Sequence, residues 1–253
     1  MNSVIVLMLL VMPPQLVDRT KETGTPLDKM TLSAEEMADI QVARKMYREA
    51  VDAYKRALAA EPDSHRLHNK LGIVYHHLRL LREAKRSYKR SIKLDGEFAQ
   101  PVNNLGAVHY AEERFKKAAK TYRKALKIDP NSASIHSNLG TAYFRRRKFK
   151  KASEEIVQAL KLDPKVFERR GRGGSLLLDR SVKDRANYFY FMARAYAGVA
   201  LYDRALLSLR RAFEDGFRKR KKVLSDPLFE PLLDHPEFQA LVGTGQQRAG
   251  AGL

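Results

Sequence analysis

Two consecutive stretches decide the fold: residues 99–132, AQPVNNLGAVHYAEERFKKAAKTYRKALKIDPNS, and residues 133–166, ASIHSNLGTAYFRRRKFKKASEEIVQALKLDPKV. Asn104-Leu105-Gly106 returns as Asn138-Leu139-Gly140, and Phe115-Lys116-Lys117-Ala118 as Phe149-Lys150-Lys151-Ala152. Ala125-Leu126-Lys127 returns as Ala159-Leu160-Lys161, and Asp129-Pro130 as Asp163-Pro164. The offset is 34 residues in every case (Pro164 minus Pro130, for instance). A fixed period of that size predicts an array of helical hairpins.

Counting slots from the first residue of each repeat, small residues occupy slots 8, 20 and 27, large apolar or aromatic ones slots 7, 11 and 24, and proline slot 32. Small residues let helix backbones approach closely in an interior packed to crystal-like density. A glycine at slot 8 costs a helix about 1 kcal/mol against alanine, which close packing must offset. Proline at slot 32 stops one helix and suits the approach to the next. A single hairpin cannot bury its apolar face, so stability comes from stacking on neighbours.

This pattern resembles the tetratricopeptide repeat. A first repeat spans Thr31 to Ser64, with Met37, Ala38, Ala50, Tyr54, Ala57 and Pro62 in the family positions. A second, His65 to Phe98, has Leu71, Gly72, Tyr75, Ala84, Tyr88 and Ser91, but Gly96 replaces the proline. The two quoted stretches are the third and fourth, with His109 at slot 11 of the third and Ile156 at slot 24 of the fourth. A fifth, Ala186 to Lys219, keeps Met192, Ala193, Tyr196, Ala205, Leu209 and Ala212, with Phe217 in the proline slot. The resemblance implies an all-α, right-handed α-solenoid closed by a C-terminal capping segment.

The rest of the chain is read around that array. Residues 1–14 hold an apolar run, Val4 to Val11, stopped by Pro13-Pro14. It is well short of the ~20 residues that span a bilayer. It has the length of an export-signal core but lacks a basic start and a small-x-small cleavage site. Export to the periplasm or envelope is one reading; a short apolar start on a cytoplasmic protein is the other. Residues 15–30 read as a linker, and Ser33 with Glu36 forms a capping-box signature at the first helix. Residues 31–166 are four consecutive repeats.

Residues 167–185 interrupt the array with Arg169-Arg170-Gly171-Arg172-Gly173-Gly174 and Leu176-Leu177-Leu178, an inserted loop or an RNA-gripping tract. Residues 186–219 form the fifth hairpin. Residues 220–242, with two Asp-(x)-Pro starts, predict capping helices like the closing segments of bacterial tetratricopeptide proteins, and residues 243–253 predict a disordered tail.

Composition narrows function. The 253 residues contain no Cys, which removes disulfides and thiolate chemistry. Nothing supplies a nucleophile, a base or a phosphate loop, so no catalytic residue, cofactor or enzymatic activity is expected. His65, His68, His76 and His77 share one hairpin, yet no Cys or adjacent acid completes a metal site, and none is expected. The net charge of +19 implies either an anionic partner or a solvated basic face.

In the family, the first helix of each hairpin lines a concave groove through slots 2, 5, 6, 9 and 12. The resemblance therefore implies a groove of Arg66, Asn69, Lys70, Ile73 and His76, then Gln100, Asn103, Asn104, Ala107 and Tyr110, then Ser134, Ser137, Asn138, Thr141 and Phe144. The carboxylate clamp of co-chaperone domains is not matched, since only Asn104 of its positions is present. Asparagine at slot 6 in successive repeats, Asn104 and Asn138, resembles the asparagine ladder of the O-GlcNAc transferase solenoid. An amide carries donor and acceptor, so it can hold an extended peptide of any sequence. The resemblance thus implies an adaptor that binds a peptide or partner protein. The basic residues lie on second helices and turns: Arg82, Lys85, Arg86, Lys89, Lys116, Lys117, Lys120, Arg145, Arg146 and Arg147. They form an alternative surface for nucleic acid or another anion.

Overall fold

Helices pair because each carries one stripe of small and aromatic residues that only a neighbour can cover. The computed structural model describes residues 32–169 and 182–243. The apolar run and linker at 1–31, the Gly-rich tract and triple leucine at 170–181, and the tail from 244 lie outside them.

Four hairpins follow one another: α1 (Ala34–Ala43) with α2 (Tyr47–Ala60), α3 (His65–His77) with α4 (Leu81–Leu94), α5 (Ala99–Ala111) with α6 (Phe115–Ile128), and α7 (Ala133–Arg145) with α8 (Phe149–Leu162). One turn of helix, α9 (Val166–Arg169), precedes a fifth pair, α10 (Val182–Ala197) and α11 (Tyr202–Glu214), and α10 packs directly on α8. First helices also touch each other, α3 with α5 and α5 with α7, so they share one face. Among the described residues the chain is all-helical, an α-solenoid. None of those helices is long and apolar enough to cross a membrane.

The start of α1 follows its sequence signal. Ser33 Oγ accepts from the Glu36 N–H at 3.2 Å, and Glu36 Oε2 accepts from the Ser33 N–H at 2.8 Å.

The small slots are buried without exception. Ala50, Ala84, Ala118, Ala152 and Ala205 are all fully enclosed. At slot 8 the helices touch so closely that a Cβ on Gly72 would lie 2.6 Å from the Tyr88 ring, and one on Gly106 would lie 2.6 Å from Tyr122. Ser91 stands where the other repeats have alanine, and its hydroxyl donates to the His65 carbonyl at 2.7 Å, which satisfies it inside the core.

The hairpin turns use a device the sequence does not advertise. Lys45, Arg79, Glu113, Arg147 and Ala200 each sit in the left-handed region, with φ between 56° and 62°. The first four recur at the repeat period of 34 residues. A side chain there costs on the order of 1 kcal/mol. In return the turn closes within three residues: the Leu80 N–H reaches the Tyr75 carbonyl, and the Arg114 N–H reaches His109, both at 2.9 Å.

The proline slot has a partner. His68 Nε2 lies 2.9 Å from the Pro62 carbonyl oxygen, and His136 Nε2 lies 2.9 Å from that of Pro130. The junction between the second and third repeats departs at both ends of this contact, with Gly96 for proline and Val102 for histidine. The slot-4 histidines thus anchor the link between hairpins.

The array ends where the proline slot holds Phe217. Gly216, at φ 91°, turns the chain back after α11, and Phe217 stacks on Tyr190 with ring centres 4.5 Å apart. Then α12 (Arg220–Leu224), a 3-10 turn (Pro227–Leu232) and α13 (Pro236–Val242) lay Val223, Phe229, Leu232, Phe238 and Val242 over the fifth hairpin. Asp226, nearly buried, accepts from the Tyr190 hydroxyl at 2.8 Å and pairs with Arg194. Of the basic run Arg218 to Lys222, Lys222 places its ammonium 4.8 Å from the centre of the Tyr190 ring.

Candidate ligand groove

The face built by the first helices changes character along its length. At the first junction Lys70 bridges two acids of the preceding hairpin, Glu35 at 2.7 Å and Asp39 at 2.6 Å. Asp39 also accepts from the Tyr54 hydroxyl. Burial works against the Lys70 charge, but the bonds to Asp39 and Glu35 outweigh it and hold its pKa above the usual lysine value.

At the next two junctions the same positions carry amides. The Asn104 side chain donates to Asn69 Oδ1 at 3.0 Å, and that of Asn138 donates to Asn103 Oδ1 at 2.8 Å. Asn69, almost fully buried, donates in turn to Gln100 Oε1 at 3.2 Å. Through the first four hairpins, slot 6 of one hairpin reaches slot 5 of the hairpin before it, one period plus one residue away. Lys70 to Glu35, Asn104 to Asn69 and Asn138 to Asn103 are three copies of one contact.

The other implied groove residues fall into two sets. Arg66, Gln100 and Ser134 at slot 2 lie toward the rim, with Arg66 and Gln100 exposed and Ser134 the first turn of α7. Ile73, Ala107 and Thr141 at slot 9 are half-buried, and the Thr141 hydroxyl donates to its own helix at the Ser137 carbonyl. Ser137, Tyr110 and Phe144 are buried. Phe144 meets Phe149 and Tyr188 edge-on, which makes the far end aromatic. Half-buried His76 is held below the ordinary histidine pKa by burial, aided by the charges of His77 and Arg79. The sequence reading did not single out Glu35 and Asp39, although counting slots 5 and 9 in the first repeat would have reached them.

Histidines elsewhere are engaged singly. His65 lies 3.5 Å from Asp95, His77 stacks on Tyr47, and His109 is 3.3 Å from Glu112. Among the described residues no group of three His, Cys, Asp or Glu side chains could hold a metal ion.

The basic residues differ in exposure and in partners. Arg82, Arg86, Lys89, Lys116, Lys117, Lys120 and Arg147 are exposed, and Arg146 is half-buried. Lys85 instead approaches Glu112 at 4.0 Å, a carboxylate that Arg114 also contacts at 3.2 Å. Burial opposes the Glu112 charge, but the His109 bond and the charges of Lys85 and Arg114 bring its pKa below the ordinary value. Arg145 is largely withdrawn from the surface, though it still reaches the exposed Glu113 at 3.5 Å. Its side chain is 7% exposed, its guanidinium carbon lies 4.1 Å from the centre of the Phe115 ring, and Nη1 donates to the Tyr110 hydroxyl at 3.3 Å. Its neighbours on α5 and α6 enclose it because slot 13 sits at the seam between hairpins.

Family descriptions agree with this architecture. One described as "TPR repeat" matches residues 38–78 and 108–146, and two described as "Tetratricopeptide repeat" match residues 65–98 and 133–166. No curated protein matches the chain in sequence. Solved structures of similar fold include PilF of Pseudomonas aeruginosa, with a TM-score of 0.54 and 18% identity over 87% of this chain and 91% of that one. TTC0263 of Thermus thermophilus has a TM-score of 0.51 and 18% identity over 76% and 94%. MamA of Desulfovibrio magneticus RS-1 has 0.51 and 17% over 74% and 94%.

Proposed function

We propose that this chain, which belongs to the tetratricopeptide-repeat family, is a non-enzymatic interaction scaffold holding an extended peptide or partner segment along its first helices. The observation that supports this reading is the carboxamide row, Asn69, Asn103, Asn104 and Asn138, fixed in orientation by bonds between hairpins. A carboxamide offers two N–H donors and a carbonyl acceptor, and the bond to Asn69 uses one donor of Asn104. Amides already ordered by neighbours lose little conformational freedom when a peptide backbone arrives. Past the ionic first junction, the uncharged amide stretch from Asn69 to Asn138 favours extended backbone over any particular charge.

The competing reading, nucleic acid or an anionic surface along the second helices, needs a continuous basic track. Glu112 interrupts that track, and Arg145 is withdrawn from it.

The test is selection from a displayed library of extended decapeptides on the immobilised full chain. Selected peptides are then titrated against Gln100→Arg/Ser134→Arg at the groove rim and Arg82→Gln/Arg86→Gln/Lys89→Gln on α4. The reading expects at least a tenfold weaker affinity in the groove variant and none in the other. It also expects little change between 50 and 200 mM salt, where phosphate contacts would weaken steeply. No selected peptide, or loss confined to the α4 variant, overturns it.

A further inference from the structure

Every second helix meets the hairpin after it along one flank, so a set of equivalent positions recurs at each junction. At the junction of α6 with α7 and α8 they enclose a cavity of about 260 Å³. Its walls carry Lys116, Lys120, Arg123, Arg146, Lys148 and Lys151, and its floor is Ala119 and Tyr143. No acid lines it, and among the described residues none of these six cations forms an ion pair with a carboxylate.

The other junctions are built differently on the same backbone. Subtracting 34 keeps a cation at five of the six positions (Arg82, Arg86, Lys89, Arg114 and Lys117) but puts Lys85 in place of Ala119 and Glu112 in place of Arg146, and those two approach each other at 4.0 Å. There a carboxylate answers part of the positive charge. Subtracting another 34 puts Asp52 at the Lys120 position and Glu83 at that of Lys151. Adding 34 puts Glu154 at the Lys120 position. What sets this junction apart from the one before it is a small residue, Ala119, where that one has Lys85, and a sixth cation, Arg146, where it has Glu112.

We propose that this cavity is a binding site for a compact polyphosphate group, either a free oligophosphate or a phosphorylated headgroup. Like charges gathered in a concavity with low-dielectric walls focus a strong positive potential. Arginine offers paired N–H donors that match phosphate oxygens, and lysine a mobile point charge. The volume suits a few linked phosphates. A nucleic-acid strand would have to continue past Glu112 on one side and Glu154 on the other. The site is separate from the peptide groove, which lies on the first helices.

The experiment is titration calorimetry of the full chain with tripolyphosphate at 150 mM salt. The expected result is saturable one-to-one binding that Lys120→Gln/Arg146→Gln/Lys151→Gln weakens at least tenfold. Arg82→Gln/Arg86→Gln/Lys89→Gln, an equal change of charge on α4, should leave it within twofold. Equal weakening by both variants, or no saturable binding, overturns the assignment. If the pocket variant loses its helical circular dichroism, Ala119→Lys/Arg146→Glu takes its place, because the fold already holds that pair as Lys85 and Glu112. Retained binding in that variant also overturns the assignment. A second arm uses phosphatidylcholine vesicles with and without a bisphosphorylated phosphoinositide. Capture by the phosphoinositide that free tripolyphosphate competes away identifies the headgroup as the source, and its absence identifies the free anion. A single-stranded oligonucleotide that binds more tightly, and equally to the pocket variant, places the anion site elsewhere and overturns the assignment.

Discussion

Asn138 donates a side-chain N–H to the Asn103 carbonyl oxygen 2.8 Å away, across the seam between α7 and α5. The residues that mark the groove are therefore also part of what joins one hairpin to the next. The same holds for Asn104 and Asn69, where the acceptor is almost fully buried. Asn104→Ala leaves that carbonyl without its donor, which costs about 1–3 kcal/mol. Urea unfolding followed by circular dichroism should show the lower midpoint. An unchanged midpoint would mean that the ladder is not structural and serves ligand alone.

The close approach at slot 8 predicts an asymmetry between glycines. Gly106→Ala drives a Cβ into the enclosed Tyr122 ring and should destabilise the chain by about 1–3 kcal/mol, the range for overpacked cores. Gly96→Ala meets nothing within 4 Å and should stabilise it by about 0.4–1 kcal/mol through the unfolded chain. Thermal melts of the two variants should shift in opposite directions.

Arg145 and Arg146 are adjacent and opposite in role. Arg145→Ala removes a guanidinium stacked on Phe115 and bonded to Tyr110, and should cost about 2 kcal/mol. Arg146→Ala should stay within about 0.5 kcal/mol, as surface changes do. Arg145→Lys should not rescue, because an ammonium lacks the planar fork that stacks and donates together. Equal effects of Arg145→Ala and Arg146→Ala would remove the distinction.

Two histidines set an acid response. Burial lowers the folded-state pKa of His76, and of His109 despite its bond to Glu112. The unfolded chain therefore takes up protons first as pH falls through about 6.5, so stability drops below that pH and is unaffected above it. His76→Gln should flatten the fall in urea midpoint between pH 6.5 and 5. Glu112, with its lowered pKa, contributes only at more acidic pH, below the ordinary carboxylate value of 4.5. A full-size fall in the His76→Gln variant would assign the response to other groups.

Much of this protein is written locally. The 34-residue period, the small residues at slots 8, 20 and 27 and the large apolar or aromatic residues at slot 24 determine hairpins and their stacking, because each acts on its own helix or the adjacent one. They were enough for the fold class and the family, and Ser33 with Glu36 was enough for the first cap. The resemblance also pointed to Asn104 and Asn138, though not to what they bond.

What the tertiary structure decided lies between hairpins. The slot-6 to slot-5 contact spans 35 residues, so its geometry depends on how one hairpin is rotated against the next. The same rotation encloses the Arg145 side chain while Arg147 stays exposed, and gathers Lys116, Lys120, Arg123, Arg146, Lys148 and Lys151 around one cavity. In the linear chain those cations are indistinguishable from the rest of an excess of +19. Charge and residue type are properties of the sequence, and they distinguish the Ala119 junction from its copies; which of those charges share a space is set by packing.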